Sequence, residues 1–151
     1  MTAVTEVPTP PAKPLPIVND ENRPFWAAAA RGELSMQRCL ACGHIRFPIQ
    51  ALCPRCLAGD VEWTVLCGRA EILAKVVYHR AFHPAYAQDV PYNLVLVQLA
   101  EGPRMFGNVV GADGLAAGDG AGAVVGDQVE AVFEPVADGL FVPRFRKIGA
   151  N

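Results

Sequence analysis

Residues 39–56 read CLACGHIRFPIQALCPRC, two C-x-x-C pairs separated by ten residues. Each pair can set two sulfurs on one side of a tight turn. Two such turns facing each other complete a tetrahedron around a metal, with sulfurs about 2.3 Å from the ion. Gly43, directly after Cys42, permits the backbone twist that the first turn needs. Pro54 inside CPRC pre-sets a dihedral in the second. Cys39, Cys42, Cys53 and Cys56 are therefore the expected ligands of one ion. Four sulfurs leave no open coordination position, so the metal is expected to be structural rather than catalytic. A thiolate tetrahedron accepts zinc or iron, and zinc is the assignment made here. His44 is a rival ligand by position, but four cysteines already satisfy the ion. A fifth cysteine, Cys67, lies outside the pattern and is expected to act as a small buried apolar residue. An odd cysteine count, in tight pairs and without a secretion-type start, argues for metal over disulfides.

Upstream, NDENRPFWAAAARGEL predicts a short helix. Asn19, Asp20 and Asn22 are cap candidates, Pro24 suits the first turn, residues 27–30 are alanines, and Gly32 is the stop. Two to three turns are too few to be stable alone, so Phe25, Trp26 and Leu34 are expected to pack on another element. Residues 1–18 hold five prolines and read as a flexible, partly polyproline-II arm.

Downstream, residues 61–66 and 70–79 read as strands. In the second, Ile72, Ala74, Val76 and Tyr78 are expected on one face, with Glu71, Lys75 and His79 on the other. AFHPAYAQDVP is a loop, YNLVLVQL a strongly apolar strand, and RMFGNVVG a further strand in which Gly107 marks a bulge or bend. The glycine-rich stretch at 111–126 reads as a surface loop, followed by strands QVEAVFEPV and LFVPRFRK. The fold class expected is mainly β: a short N-terminal helix, a rubredoxin-like zinc ribbon, then a five-stranded OB-type β-barrel. An SH3-like barrel or an open sandwich is the alternative. The division expected is 1–18 for the arm, 19–60 for helix and ribbon, and 61–151 for the OB-fold.

Bulk numbers narrow the function classes. The 151 residues are 52% hydrophobic and 19% charged, ordinary globular material. No apolar run approaches the roughly 18 residues of a membrane helix, and the expectation is a cytoplasmic protein. The formal net charge is −2, which four thiolates and one divalent ion would take to −4. That disfavours a nucleic-acid binder, which usually carries a basic surplus.

No nucleophile, base and orienting group stand together, so no catalytic residue is assigned. His83 with Asp89 could act as acid and base, but both read more simply as loop residues. Arg80, Phe82, His83, Tyr86 and Tyr92 form a basic and aromatic cluster able to stack on an adenine ring and meet a phosphate. Arg104 and Asn108, on the next strand, are candidates for the same face. Each of these could equally be a surface residue.

Taken in order, PFW, QRCLACGHIRFP, CPRC, CGRAEI, VVYHRAFHPAYAQDVPY, VQLAEGPRMFGN and VPRFR resemble a bacterial and archaeal family. It was once labelled a domain of unknown function and is now described as acyl-CoA-associated, with a rubredoxin-like zinc ribbon followed by an OB-fold. The resemblance spans about 19–147, and the four cysteines match its metal ligands one for one. It implies a non-catalytic accessory subunit of a thiolase- or aldolase-type complex acting on acyl-CoA thioesters. The thiolase-like partner would carry the catalytic residues, and this chain would support it and help bind CoA. Cys67 departs from the family, which often has a small residue such as serine there; the arm and the loop at 111–126 are longer. The alternative function is an OB-fold module for nucleic acid.

Overall fold

The computed structural model describes residues 11–114, 118–120 and 122–149. Residues 1–10 of the predicted arm, and 115–117 and 121 of the glycine-rich stretch, lie outside the described residues.

Helix α1 spans Arg23–Ala30. Asn22 is its N-cap residue, but its side chain does not cap the helix. Instead Asn19 and Asn22 exchange backbone-to-side-chain bonds of 2.7 and 3.0 Å, and the Asn22 amide donates to the Ile17 carbonyl. At the other end the Gly32 N–H donates to Ala29 O and the Glu33 N–H to Ala28 O. This pair of bonds is a Schellman closure, which turns the chain sharply after four alanines. Phe25, Ala28 and Ala29 are buried, the i, i+3, i+4 stripe of an amphipathic helix. The stripe seats α1 against the strands Leu34–Cys39 and Leu140–Lys147.

Strands β1 (Leu34–Cys39), β2 (Ile45–Arg46) and β3 (Val61–Leu66) form an antiparallel sheet of order β2-β1-β3. β3 pairs along the whole of β1, from Leu34↔Leu66 to Cys39↔Val61. It thus belongs to the ribbon's sheet rather than to the ladder of the following strands. The second sheet contains β4 (Arg69–Tyr78), β5 (Tyr92–Leu99), β6 (Arg104–Gly107), β7 (Val109–Val110), β8 (Gln128–Ala137) and β9 (Leu140–Lys147), in the order β6-β5-β4-β8-β9-β7. Its two end strands, β6 and β7, flank the single residue Asn108, so the sheet curls round and returns on itself through the chain. Counted that way it is the five-stranded OB arrangement, with β7 parallel to β9 as the closing contact.

Two expectations change in this sheet. The register of β4 on β5 shifts between Ile72 and Ala74. A bulge adds one residue to one strand and swaps the faces beyond it. Val76, expected inward, is 49% exposed. Lys75, expected outward, is partly buried and its Nζ donates to the Ala123 carbonyl at 2.6 Å. Secondly, the described part of the glycine-rich stretch is not merely surface: Ala123 is fully buried, and the Gly118 carbonyl accepts from the Asn93 amide.

One hydrophobic core runs from Phe25, Leu34 and Met36 of the helix and ribbon into Ile72, Val95, Val97, Leu99, Val129 and Phe145 of the barrel. No helix among the described residues is long and apolar enough to cross a membrane.

Candidate metal centre and aromatic loop

The two cysteine turns are built alike. In the first, the Gly43 N–H donates to Cys39 O; in the second, the Leu57 N–H donates to Cys53 O. Each turn ends in the left-handed region, Gly43 at φ 77° and Leu57 at φ 63°. That conformation frees the following chain to leave the loop while the backbone N–H groups point at the sulfurs. Cys39 and Cys53 are buried, Cys42 and Cys56 exposed.

The four Sγ atoms all lie within 4.8 Å of one another. Cys39 and Cys56 sulfurs are 3.5 Å apart, and those of Cys42 and Cys53 3.6 Å. A tetrahedron with metal–sulfur bonds of about 2.3 Å requires sulfurs about 3.8 Å apart, so the donor set fits. The protonation of these thiols fits as well. The Cys42 N–H holds Cys39 below the ordinary thiol value, against burial and with help from the Ala41 N–H. Burial pushes Cys53 up, but the N–H groups of Cys56 and Arg55 and the neighbouring thiols bring it down to about 6. The Ala58 N–H lowers Cys56, yet the sulfurs of Cys39, Cys42 and Cys53 and burial push it up to about 12. Four adjacent thiols cannot all ionise without a cation among them, and a divalent ion supplies that charge. Cys67 stays outside this group. Contrary to expectation it is exposed, its N–H donating to Glu101 Oε2 at 2.8 Å and its thiol to Oε1 at 3.4 Å.

The aromatic residues converge at the far end of β4 and β5. Tyr78 and Tyr92 are cross-strand partners and stack with centroids 5.2 Å apart. Phe82 meets Tyr78 edge-on, and Tyr86 lies 6.2 Å from Tyr92. The Arg80 guanidinium sits 5.7 Å from the Phe82 ring centre, and Phe82 is 73% exposed. His83 packs edge-on against Tyr86 and its Nδ1 accepts from the Ala85 N–H, holding the short 3-10 turn Pro84–Tyr86. Asp89 pairs with Lys13, whose ammonium also sits over Tyr86. His83 and Asp89 therefore serve the loop's own architecture. Phe82, backed by the half-buried tyrosines, offers an exposed aromatic ring with a cation beside it, suited to stacking on a planar group and meeting an anion.

Arg104 is not part of it. It stands opposite Gln98, six residues along β5 from Tyr92, about 20 Å at strand spacing. Asn108 is closer but occupied: its amide donates to the Asn93 carbonyl and its Oδ1 accepts from Arg144 at 2.6 Å.

Sequence reasoning passed over Asn93. It is 3% exposed, on the inward row with Val95, Val97 and Leu99. Its Oδ1 accepts from the Val109 N–H at 2.7 Å and its Nδ2 donates to the Val109 carbonyl at 2.9 Å. The side chain thus replaces a ladder rung where the chain leaves β6 for β7. A polar residue in an otherwise apolar inward row was the signal. Also unforeseen is a groove of about 550 Å³ between α1, the segment 47–49 and the barrel, lined among others by Trp26, Phe47, Ile49, Met105, Phe106 and Arg144.

Residues 26–62 match the family described as the ChsH2 rubredoxin-like zinc ribbon domain, and residues 63–134 the ChsH2 C-terminal OB-fold domain. A probable enoyl-CoA hydratase alpha subunit of Thermomonospora curvata is 34% identical over 110 residues, 73% of this chain. The matched part is 34% of that relative, so the chain spans about a third of its length. A DUF35 domain-containing scaffold protein of Methanocaldococcus jannaschii is 29% identical over 102 residues, 67% of each chain. Among solved structures, a chain of the Ltp2-ChsH2(DUF35) aldolase superposes with a TM-score of 0.75 and 31% identity, over 89% of this chain and 100% of that one. The two family models together match residues 26–134, and with the 31% identical DUF35 chain covered in full, the chain belongs to the ChsH2-type DUF35 family.

Proposed function

We propose that this chain is a non-catalytic accessory subunit of a thiolase- or aldolase-type complex acting on acyl-CoA thioesters, in a cytoplasmic setting. The observation that carries the reading is the likeness, over the whole of that chain, to the DUF35 component of a solved aldolase complex. The relation to a hydratase alpha subunit supports the same acyl-CoA context. The ribbon holds one structural zinc ion on Cys39, Cys42, Cys53 and Cys56, a ligand set with no open position. The ion braces the turns; it takes no part in the chemistry, and the reacting groups belong to a thiolase-like partner. The platform of Tyr78, Arg80, Phe82, Tyr86 and Tyr92 contributes to CoA binding, the aromatic face meeting the adenine ring and Arg80 a phosphate.

The test is a pull-down of the tagged chain from its native host, with captured proteins identified by mass spectrometry. Stoichiometric capture of a thiolase-like protein is the expected result. Capture of nucleic acid alone, with salt-dependent binding, would replace this reading with the nucleic-acid one.

A further inference from the structure

Among the described residues, Arg46 is the one charged side chain that is fully buried, at 3% exposure. Its Nε donates to Gln37 Oε1 at 3.2 Å and its Nη2 to the Gln50 carbonyl at 3.0 Å, while Nη1 has no partner. Both acceptors are neutral, and none of the ion pairs among the described residues includes Arg46. Arginine does not release its proton, and a buried cation without a counter-charge is strongly unfavourable. Something nearby must balance it.

The position of Arg46 identifies what does. It stands directly opposite Gln37 in the β1–β2 ladder. Gln37 and Cys39 are two residues apart on one strand, so their side chains share a face, about 7 Å apart along it. The next rung is the Cys39 N–H bonded to the His44 carbonyl. Gln50, which receives Nη2, lies three residues before Cys53, and its own N–H donates to the same Gln37 oxygen. The guanidinium therefore ties the segments leading to both buried sulfurs. Four thiolates around a divalent ion would carry a net charge of −2, on the ribbon face that Arg46 shares with Gln37 and Cys39.

We propose that Arg46 is the internal counter-charge of the metal–thiolate centre: it binds no metal and sets how much negative charge the four sulfurs can hold together. The rival partner for the Arg46 charge is Glu101, which with Arg46 lines a cavity of about 440 Å³ between the ribbon and residues 101–103. Its two carboxylate oxygens, however, accept from the Cys67 N–H and thiol, and it forms no ion pair with Arg46.

Iron loaded into the full chain gives a readout independent of any activity, because the tetrathiolate site goes from −1 to −2 on reduction. Arg46→Gln is expected to move the reduction potential to more negative values and to weaken zinc, in competition with a chelator, by about 10–100-fold. Arg46→Lys should hold both close to the parent. Gln37→Glu keeps the side-chain length and acceptors but places a carboxylate beside the guanidinium; it should move the potential in the same direction even if Arg46→Gln does not fold. Glu101→Gln should leave the potential in place. An unchanged potential in Arg46→Gln or Gln37→Glu would overturn the proposal and leave Arg46 a hydrogen-bonding brace. A destabilised Glu101→Gln whose loss disappears in the Arg46→Gln background would make Glu101 the charge that Arg46 balances, and would overturn the proposal.

Discussion

The ring of Phe145 occupies the space that a β-carbon on residue 107 would need. A methyl group built on Gly107 would lie 2.7 Å from both Cδ2 and Cε2 of Phe145, closer than real carbon atoms approach. Phe145 has no room to retreat, being fully buried in the core, with its N–H held by the Asn108 carbonyl. The glycine is there for close approach between β6 and β9, at the joint where the sheet curls back.

Gly107→Ala is therefore expected to overpack the joint and to lower stability by about 1–3 kcal/mol. Urea denaturation checks this. Phe145→Leu in the same chain should relieve the clash, so the double variant should lose less than the two single losses added together.

Asn93→Leu removes the rung that bridges β6 to β7. It leaves the buried Val109 N–H without the acceptor at 2.7 Å that it now has. The expected cost is about 1–3 kcal/mol, the usual penalty of an unsatisfied buried group. Hydrogen exchange should show faster exchange at Val109, while the amides of β1 in the ribbon keep their protection.

Metal analysis of the purified chain should find one zinc ion, and Cys53→Ser should abolish it, because each sulfur is one of only four ligands. Cys67→Ser should retain the full complement, since Cys67 lies on Glu101 and away from the cluster. Chelation should loosen the two cysteine turns, which the sulfur–metal bonds join directly.

Asp127 gives an acid limb to the stability curve. The Val124 N–H and then Lys147 hold its carboxyl below the ordinary carboxylate range. A carboxyl depressed in the folded state stabilises fully above its unfolded pKa of about 4 and loses that contribution as pH falls through the lower folded value. Asp127→Asn should therefore show a smaller drop in stability between pH 6 and pH 3 than the parent, measured by denaturant midpoints.

If CoA is held on the aromatic platform, Phe82→Ala and Arg80→Gln should each weaken its binding to the complex by about 5- to 100-fold, the range expected for losing a stacking partner. Both side chains are exposed, so thermal stability should hardly change. Calorimetric titration of CoA, with a melting curve on each variant, separates the two effects.

Much of this architecture is legible locally. The cysteine spacing determines the ribbon because two short turns must each present two sulfurs to one ion, and that depends only on neighbours in the chain. The helix from Arg23, with Pro24 in its first turn, four alanines and a stop at Gly32, and the last strand, Leu140–Lys147, are equally local. What the tertiary structure alone decided involves partners far apart in sequence. The bulge beyond Ile72 turned Val76 out and Lys75 in, because β4 had to bend to meet both β5 and β8. Cys67 lies in the open because the strand before it joined β1 while the strand after it joined the barrel, leaving the residue between them on a corner with Glu101. Asn93 and Arg46 are polar residues whose burial is acceptable only where distant backbone or charge meets them. No pattern of neighbours encodes that meeting, because it exists only once the chain has closed around it.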